Sequence, residues 1–408
     1  MFLPRRKVSL RRKLAFWGIL LLTFLVSLVL FSGWIDLIFN PSFSRMIGVK
    51  WDHYHFYGEI VKTLKEINEY CPSLSELSSI GASHENRTIY CLRITDETVS
   101  AQKIKVLIVG YHHARERISA EVPLYFAVWL VQNYATNATV QQILKHTEIY
   151  FVVALNVDGF QTSMENPFQR KNSCPIDDDG DGLVDEDPPD DENGDGEIGI
   201  LHYENGTFIR FEGVDDDGDG KRNEDWIGGV DLNRNYDFAW NLSDERHRNV
   251  SSNVFHGFSP LSEPETQAIK GLVEQVSFDY ALSIHSGVKM VFYPWGYTEE
   301  PPADQEIFEL LAGGLAEHAH AAYMQSSHFY KTYGDFVDWI YGKYGTLAFT
   351  VEVYGNSSAI RKVPGEIEGT YWEVGYFNYF NPPVEKIEAV CLEWKESFVW
   401  FLIEVMKR

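Results

Sequence analysis

Residues 104–116 read Ile-Lys-Val-Leu-Ile-Val-Gly-Tyr-His-His-Ala-Arg-Glu. The apolar run from Ile104 to Val109 predicts a buried β-strand, and helical spacing resumes from Glu116 to Tyr134. His113 and Glu116 therefore lie where a strand passes into a helix. Strands and helices continue to alternate along the chain, which predicts an α/β fold. In open α/β sheets, functional residues gather beyond the carboxyl ends of the strands.

Two later strands also end at residues with metal or acid–base chemistry. A predicted strand from Tyr280 to Ile284 leads into His285, and a predicted strand from Gly345 to Val353 carries Glu352. Two imidazoles and a carboxylate are the protein ligands of a catalytic zinc, and a further carboxylate is the general base that such a site needs. No single residue is specific evidence, and His112 stays open as an alternative ligand. Together they predict a metallohydrolase.

The N-terminus carries a membrane signal. Six cations precede an uncharged run, residues 14–35, that is long enough to span about 30 Å of hydrocarbon as a helix. The charge bias places residues 1–13 in the cytoplasm as a basic segment. We expect residues 14–35 to be a transmembrane anchor, with a cleaved signal peptide as the alternative. Residues 36–50 would form a tether, and residues 51–408 a catalytic domain that is extracellular, or secreted if the run is cleaved.

Composition agrees with an exported globular protein. The 408-residue chain has a formal net charge of 35 − 59 = −24, which does not suggest a nucleic-acid partner. Cys71, Cys91, Cys174 and Cys391 form an even set that an exported protein can pair, although Cys91 and Cys391 also suit buried free thiols. Glycosylation sequons begin at six asparagines, namely Asn86, Asn137, Asn205, Asn241, Asn249 and Asn356.

An acidic insertion occupies residues 174–226 and contains three similar repeats. Its first 52 residues hold 20 Asp and Glu but only 3 Lys and Arg. Oxygen donors at positions 1, 3 and 5 followed by Gly at 6 match the start of a calcium loop, but the expected Glu at position 12 is missing. We therefore predict calcium repeats that are not EF-hands, with a solvated acidic loop as the alternative. The candidate calcium ligands are Asp177, Asp179, Asp181, Asp191, Asn193, Asp195, Asp215, Asp217 and Asp219.

Five ordered blocks resemble a known family. These blocks are His113-Ala-Arg-Glu, Asn156-Val-Asp-Gly, Asp231-Leu-Asn-Arg-Asn, Ser283-Ile-His-Ser and Thr350-Val-Glu. They are similar to the zinc metallocarboxypeptidases related to carboxypeptidase A and carboxypeptidase T, over about residues 51–379. The resemblance implies an α/β fold whose mixed, mostly parallel, twisted sheet is flanked by helices. It also implies one zinc ion per catalytic site and substrates that are peptide or protein C-termini.

The resemblance assigns a role to each matching position. His113, Glu116 and His285 would hold zinc, Glu352 would be the general base, and Arg170 would stabilise the oxyanion. The substrate-binding residues would be Arg115, Asn233, Arg234, Tyr330 and Val337.

Within that set, Arg234 and Asn233 would clamp the terminal carboxylate, since a guanidinium fork binds carboxylates bidentately. Tyr330 would close over the substrate. Val337 suggests a preference for apolar or aromatic terminal residues, whereas the nearby Asp335 could admit Lys or Arg.

Two other functions remain open at this point. The same zinc fold could act on cell-wall peptides or acyl amino acids. Alternatively, the chain could be a calcium-ordered, non-enzymatic surface module. The presence of a residue of the expected type at every ligand, base and clamp position favours the carboxypeptidase.

Overall fold

A computed structural model describes residues 47–408 of the chain. The predicted basic segment, the apolar run of residues 14–35 and most of the tether lie outside these residues. Within residues 47–408, no helix is long and apolar enough to cross a membrane. The compact unit begins at Ile47, four residues before Trp51. Ile47 is buried, and its carbonyl accepts a hydrogen bond of 3.0 Å from Gln132.

Strands and helices alternate as expected for an α/β protein. The strands are β1 Ser75–Ala82, β2 Thr88–Ile94, β3 Ile104–Gly110, β4 Thr147–Val152, β5 Ile200–Tyr203, β6 Phe208–Phe211, β7 Tyr280–His285, β8 Lys289–Tyr293, β9 Ala322–Gln325, β10 Leu347–Val353, β11 Arg361–Pro364 and β12 Thr370–Val374. The helices are α1 Tyr57–Tyr70, α2 Ile118–Asn133, α3 Ala138–His146, α4 Gly159–Glu165, α5 Glu245–Arg248, α6 Pro264–Gln275, α7 Gln305–His318, α8 Phe336–Tyr344, α9 Tyr376–Phe380 and α10 Ile387–Val405.

The main sheet is mixed, with eight strands in the order β1-β2-β4-β3-β7-β10-β8-β9. The pairs β4–β3, β3–β7, β7–β10 and β8–β9 are parallel, and the other pairs are antiparallel. All six residues of β7 are buried, as expected for a central parallel strand that is covered on both faces. Helix α2 packs on β3 and β7, and α8 packs on β7 and β10. The predicted fold class is confirmed for this sheet.

The acidic insertion is more structured than the loop predicted from its composition. Its strands β5 and β6 join β11 and β12 in a second, antiparallel sheet with the order β11-β12-β5-β6. Leu201 packs with Trp372 and Val374 in a small core of its own. The apolar residues that form β5 and β6 occur in runs too short to stand out among so many carboxylates.

The described cysteines form no disulfides. Cys71, Cys91 and Cys391 are buried free thiols, and Cys174 is a partly exposed one. The expectation of pairing in an exported protein is therefore not met, and the buried-thiol interpretation fits Cys91 and Cys391.

Candidate active site

Three adjacent parallel strands deliver the principal site residues to one edge of the sheet. In the β7–β10 pair, His285 lies directly opposite Glu352, and in the β3–β7 pair Gly110 lies opposite Ile284. His113 and Glu116 follow β3 in a turn that ends before α2 begins at Ile118. The helical spacing seen from Glu116 therefore becomes a helix two residues later than predicted, because a tight turn carries the two donors.

His113, Glu116 and His285 present one donor atom each within 4.8 Å of one another. The Glu116 carboxylate contacts His113 Nδ1 at 2.8 Å and His285 Nδ1 at 3.0 Å. All three side chains are buried. Two imidazole nitrogens and a carboxylate that converge in this way fit the ligand set of a catalytic zinc, with room for a fourth ligand on the cavity side.

His112 is excluded from this cluster by its orientation. Its ring stacks on His285 with centroids 5.3 Å apart, and its Nε2 atom lies 3.1 Å from the Tyr236 hydroxyl. Burial, followed by the proximity of His285, lowers the pKa of His112 well below its usual value. The His112 imidazole therefore packs against a candidate metal ligand, His285, without being one itself.

The Nε2 atoms of His113 and His285, which point away from Glu116, also have hydrogen-bonding partners. His113 Nε2 lies 3.1 Å from Asp231 Oδ1, and His285 Nε2 lies 2.9 Å from Ser283 Oγ. Such contacts fix the tautomer and the ring orientation of metal-binding histidines. Sequence reasoning did not assign Asp231 or Ser283, although both stand inside the motifs that it singled out.

Asp231 also connects the metal donors to Arg170. Arg170 Nε donates a 2.7 Å hydrogen bond to Asp231 Oδ2, and both side chains are buried. Burial alone would raise the pKa of Asp231, but the Arg170 and His113 charges outweigh it and hold the pKa well below its usual value. Asp231 is therefore a charged link between a candidate ligand and a guanidinium that faces the cavity.

Glu352 lies at the edge of the same cavity. Its Oε2 atom is buried and accepts no hydrogen bond. Burial, together with the charge of Glu116, raises the pKa of Glu352 well above its usual value. A carboxyl with one free oxygen next to metal donors has the chemistry of a general base.

The opposite side of the cavity is cationic. Arg234 is buried, and its Nη1 atom donates a 2.6 Å hydrogen bond to the Asn233 carbonyl while its Nε atom has no partner. Arg115 also has an unpartnered Nε, and its guanidinium lies 4.3 Å from the centroid of the Phe380 ring. Tyr330 borders the cavity and is 53% exposed. Buried guanidinium donors without acceptors are suited to binding an anionic ligand.

The structure places Asp335, rather than Val337, on the cavity wall. Val337 is buried in the hydrophobic core, and its role in side-chain preference stays a prediction. Asp335 precedes α8 with an extended backbone, whereas Val337 lies in the first turn of that helix. Asp335 caps this helix by accepting a 2.9 Å hydrogen bond from the Asp338 amide. The other wall residues include Phe292, Phe329 and Thr350.

Some of the predicted calcium ligands also lie close together. Asp177, Asp179 and Asp181 form one group of donors within 4.8 Å, and Asp179 also belongs to two groups that join different repeats. In the middle repeat, Asp191 accepts hydrogen bonds from the Gly194 and Gly196 amides of its own loop. Asn193 and Asp195 stabilise that loop in the same way, as do Asp215, Asp217 and Asp219 in the third repeat.

Comparisons with known proteins agree with the architecture. A family model described as zinc carboxypeptidase matches residues 60–397. Carboxypeptidase O of Bos taurus is 26% identical over 384 residues, which cover 92% of this chain and 84% of the relative. Mast cell carboxypeptidase A of Mus musculus is 25% identical, over 74% of this chain and 64% of the relative.

Solved structures show the same fold. The crystal structure of thrombin activatable fibrinolysis inhibitor aligns with a TM-score of 0.66 and 20% identity, over 91% of this chain and 81% of that chain. Carboxypeptidase A from Helicoverpa armigera aligns with a TM-score of 0.64 and 20% identity, over 88% and 73%.

Proposed function

The chain belongs to the zinc carboxypeptidase family of metallopeptidases, whose members use one catalytic zinc, and we propose that it removes single C-terminal residues from peptides. One observation carries the proposal. The three metal donors, Glu352 with its unpartnered Oε2 atom and Arg234 with its unpartnered Nε atom all border a single cavity. This arrangement suits a substrate with a scissile amide and a free carboxylate.

In the proposed reaction, His113 Nδ1, His285 Nδ1 and the Glu116 carboxylate would hold the zinc. The bound metal supplies Lewis acidity to the site. Glu352 accepts a proton from the attacking water and delivers it to the departing amine. Arg170, oriented by Asp231, donates hydrogen bonds to the carbonyl oxygen as negative charge develops on it, and such a donor is worth about 3–4 kcal/mol in the transition state.

Exopeptidase selectivity would come from Arg234. Its unpartnered Nε and its neighbour Asn233 offer hydrogen-bond donors to a terminal carboxylate. An internal amide is neutral, so it would bind the guanidinium more weakly than the charged carboxylate does. Tyr330 is exposed at the rim and would cover the end of the substrate. Arg115 would contact residues further from the terminus.

The pocket wall supports a preference for apolar or aromatic terminal residues. Phe292 and Phe329 supply apolar surface, and the Asp335 carboxylate would admit a terminal Lys or Arg as well. Because Asp335 also caps α8 and accepts a 2.8 Å hydrogen bond from Thr332 Oγ1, its position is fixed before substrate binds.

The same proposal places the catalytic domain outside the cell, joined to the membrane by residues 14–35. The basic and apolar N-terminal segments support this, and the sequon residues Asn86, Asn205 and Asn241 are exposed. Alkaline carbonate extraction of membranes tests the anchor, and release of the intact chain into the supernatant would count against it.

We also propose that the acidic insertion binds calcium. Carboxylates of the repeats converge in several groups, and oxygen donors of this kind are those that Ca²⁺ prefers.

Turnover by the full-length chain, supplied with zinc, is the central test. A blocked dipeptide ending in Phe should be hydrolysed, and Glu352→Gln should reduce kcat by at least about 100-fold because the base is lost. Zinc content, measured by atomic absorption, should stay unchanged in this variant. Absence of turnover, or turnover that Glu352→Gln leaves intact, would reject the proposed activity and favour a non-enzymatic module.

The clamp has a separate test. Arg234→Gln removes the charged fork and should raise KM for the free acid by at least about tenfold, since hydrogen bonds to charged groups contribute about 1.5–3 kcal/mol. A C-terminally amidated dipeptide should be a poor substrate for the wild type. Equal rates on acid and amide would rule out carboxylate recognition by Arg234.

A further inference from the structure

The first and third acidic repeats, residues 177–187 and 215–225, share one backbone conformation. Gly180 and Gly218 have φ of 86° and 84°, and the later pair Asp185 and Asn223 have φ of 57° and 59°. Both repeats also use their first Asp to accept the same two amide hydrogen bonds. The middle repeat departs from this course after Gly196, because β5 begins at Ile200.

The two matching repeats face each other as a pair. Their last residues, Asp187 and Asp225, form an antiparallel bridge, with Asp187 N donating to Asp225 O at 3.2 Å. The Asp187 carboxylate accepts hydrogen bonds from two amides of the third repeat, Asp216 N at 3.3 Å and Asn223 N at 3.0 Å. The repeats therefore form one unit, joined through the equivalent residues Asp187 and Asp225.

Asp225 differs from its equivalent, Asp187, in its hydrogen bonds. It is fully buried, yet neither of its carboxylate oxygens accepts a hydrogen bond. Oxygens of Asp179 and Glu186, both from the first repeat, lie within 4.8 Å of it and of each other. Asp225 is the fully buried member of this group, whereas Asp179 and Glu186 are at least partly exposed. Burying a carboxylate such as Asp225 without partners beside other carboxylates is costly unless a cation neutralises it.

Neighbouring groups add further negative charge. Neither oxygen of the buried Asp178 side chain accepts a hydrogen bond, although Oδ2 lies 3.8 Å from Lys171 Nζ. Glu186 Oε2 and Glu224 Oε2 are also buried without hydrogen-bond partners. Burial, with the charges of Glu186 and Asp178, raises the pKa of Asp225 to about 7. Lys221 contacts Asp179 at 3.2 Å, but its side chain is 61% exposed and such an ion pair contributes little.

We propose that Asp179, Glu186 and Asp225 bind a Ca²⁺ ion between the first and third repeats, and that this ion fixes the geometry of the Arg170–Asp231 contact in the cleft. The ion would link two repeats that are far apart in sequence, rather than fill one loop. An all-oxygen donor set drawn from carboxylates matches Ca²⁺. The part of the inference that concerns the cleft rests on the proposed carboxypeptidase activity.

Short connections join this ion site to the cleft. Lys171, which follows Arg170, is buried with its Nζ atom 3.8 Å from Asp178 Oδ2. On the other side, Asp185 accepts a 3.0 Å hydrogen bond from the Gly228 amide, three residues before Asp231. An ion that fixes the paired repeats therefore restrains both chain segments that lead to the Arg170–Asp231 contact.

Terbium luminescence tests the ion site on the full-length, zinc-loaded chain. Trp226 adjoins Asp225 and is buried, so Tb³⁺ bound there should emit when tryptophan is excited, and Ca²⁺ should displace it. Glu186→Gln and Asp225→Asn should each weaken Tb³⁺ binding at least tenfold. Asp216→Asn is the matched control, because it removes the same charge from an exposed side chain of the same pair. Unchanged binding in Asp225→Asn, or loss of the signal in Asp195→Asn instead, would overturn the proposed site.

Thermal melting separates loss of the ion from misfolding. Without calcium, Asp225→Asn should melt no lower than the wild type, because it removes a buried, unpaired charge. Adding Ca²⁺ should raise the melting temperature of the wild type and of Asp216→Asn by several degrees, but not that of Asp225→Asn. A calcium shift of equal size in Asp225→Asn would contradict the assignment.

Kinetics tests the connection to the cleft. Calcium removal should lower kcat/KM of the wild type at least fivefold at constant zinc content, and Asp225→Asn should show no calcium response. If calcium binds as measured by luminescence but kcat/KM does not change, the coupling is rejected. If no form hydrolyses peptides, the proposed activity fails while the luminescence and melting results still decide the ion site.

Discussion

At the residue scale, Asp335 and Val337 show how a two-residue offset decides which side chain borders the cavity. Val337 matches the family position associated with side-chain preference, yet it packs in the core. Asp335 faces the cavity because it stands just before the first turn of α8. A sequence shows which residues are close along the chain. Whether a side chain faces the cavity or the core depends on the residue at which the helix begins.

Asp335→Asn is expected to change the preference for terminal residues. It should lower kcat/KM for substrates ending in Lys by about 10- to 100-fold and leave those ending in Phe nearly unchanged, because a charged hydrogen bond is worth about 1.5–3 kcal/mol. Stability should hold, since Asn caps helices about as well as Asp. Steady-state kinetics on a matched pair of blocked dipeptides measures the ratio.

Asp338→Asn provides the control for that prediction. Asp338 is buried and accepts hydrogen bonds from the Gly296 and Tyr297 amides. Burial and the nearby Asp335 raise the pKa of Asp338 well above its usual value. Asp338 does not border the cavity, so its replacement should leave the preference for terminal residues unchanged. A similar loss of Lys preference in both variants would show that Asp335 is not the determinant.

The metal donors could be singled out from sequence because each stands at or just beyond the end of an apolar strand. His113 follows β3 and His285 ends β7, and these two strands are adjacent in the sheet, an arrangement that parallel α/β topology favours. The choice between His112 and His113 could not be made from spacing, because it depends on the backbone at Tyr111, whose φ is 58°. The supporting roles of Asp231 and Ser283 likewise emerge only once the chain is folded.

At the scale of elements, the base of the acidic insertion is closed by close backbone pairing. Asn172 N donates to Val230 O at 2.9 Å, and Gly229 N donates to Asn172 O at 3.2 Å. Gly228 has a φ of 80°, and a Cβ atom there would lie 2.0 Å from the Asn172 carbonyl oxygen. This closure brings Arg170 and Asp231 to neighbouring positions from opposite ends of the insertion.

Gly228→Ala should therefore destabilise the protein by more than about 1 kcal/mol, through both strain and the clash. It should also lower kcat/KM, because the segment that carries Asp231 shifts. Chemical denaturation followed by fluorescence gives the free energy of unfolding. Gly58→Ala is the control, since that position lies in α1 with nothing within 4 Å of the added atom, and it should be neutral or slightly stabilising.

Long apolar elements were predictable and short ones were not. The strands from Ile104 and Tyr280 begin where their predicted apolar runs begin. Strands β5 and β6 have four residues each and depend on partners from a distant part of the chain. Pairing of that kind leaves little trace in local sequence periodicity.

At the scale of the whole molecule, the zinc site connects segments from across the described chain. Removing zinc should abolish turnover and lower the melting temperature, because a ligand at 1,000 times its Kd stabilises the folded state by about 4 kcal/mol. Dialysis against 1,10-phenanthroline followed by calorimetry measures the loss, and stoichiometric Zn²⁺ should restore both properties. Full activity in a metal-free preparation would contradict the assignment of His113, Glu116 and His285.

The second sheet ties the acidic insertion to a hairpin near the C-terminal end. Strand β12 pairs with β5, so each segment supplies half of one four-stranded sheet and part of its core. Deleting residues 174–226 would leave β12 with an unpaired edge, which favours aggregation. The insertion and the hairpin therefore depend on each other for a complete sheet. We expect chains derived from the same ancestor to gain or lose them together, and a graft onto another carboxypeptidase would have to transfer both.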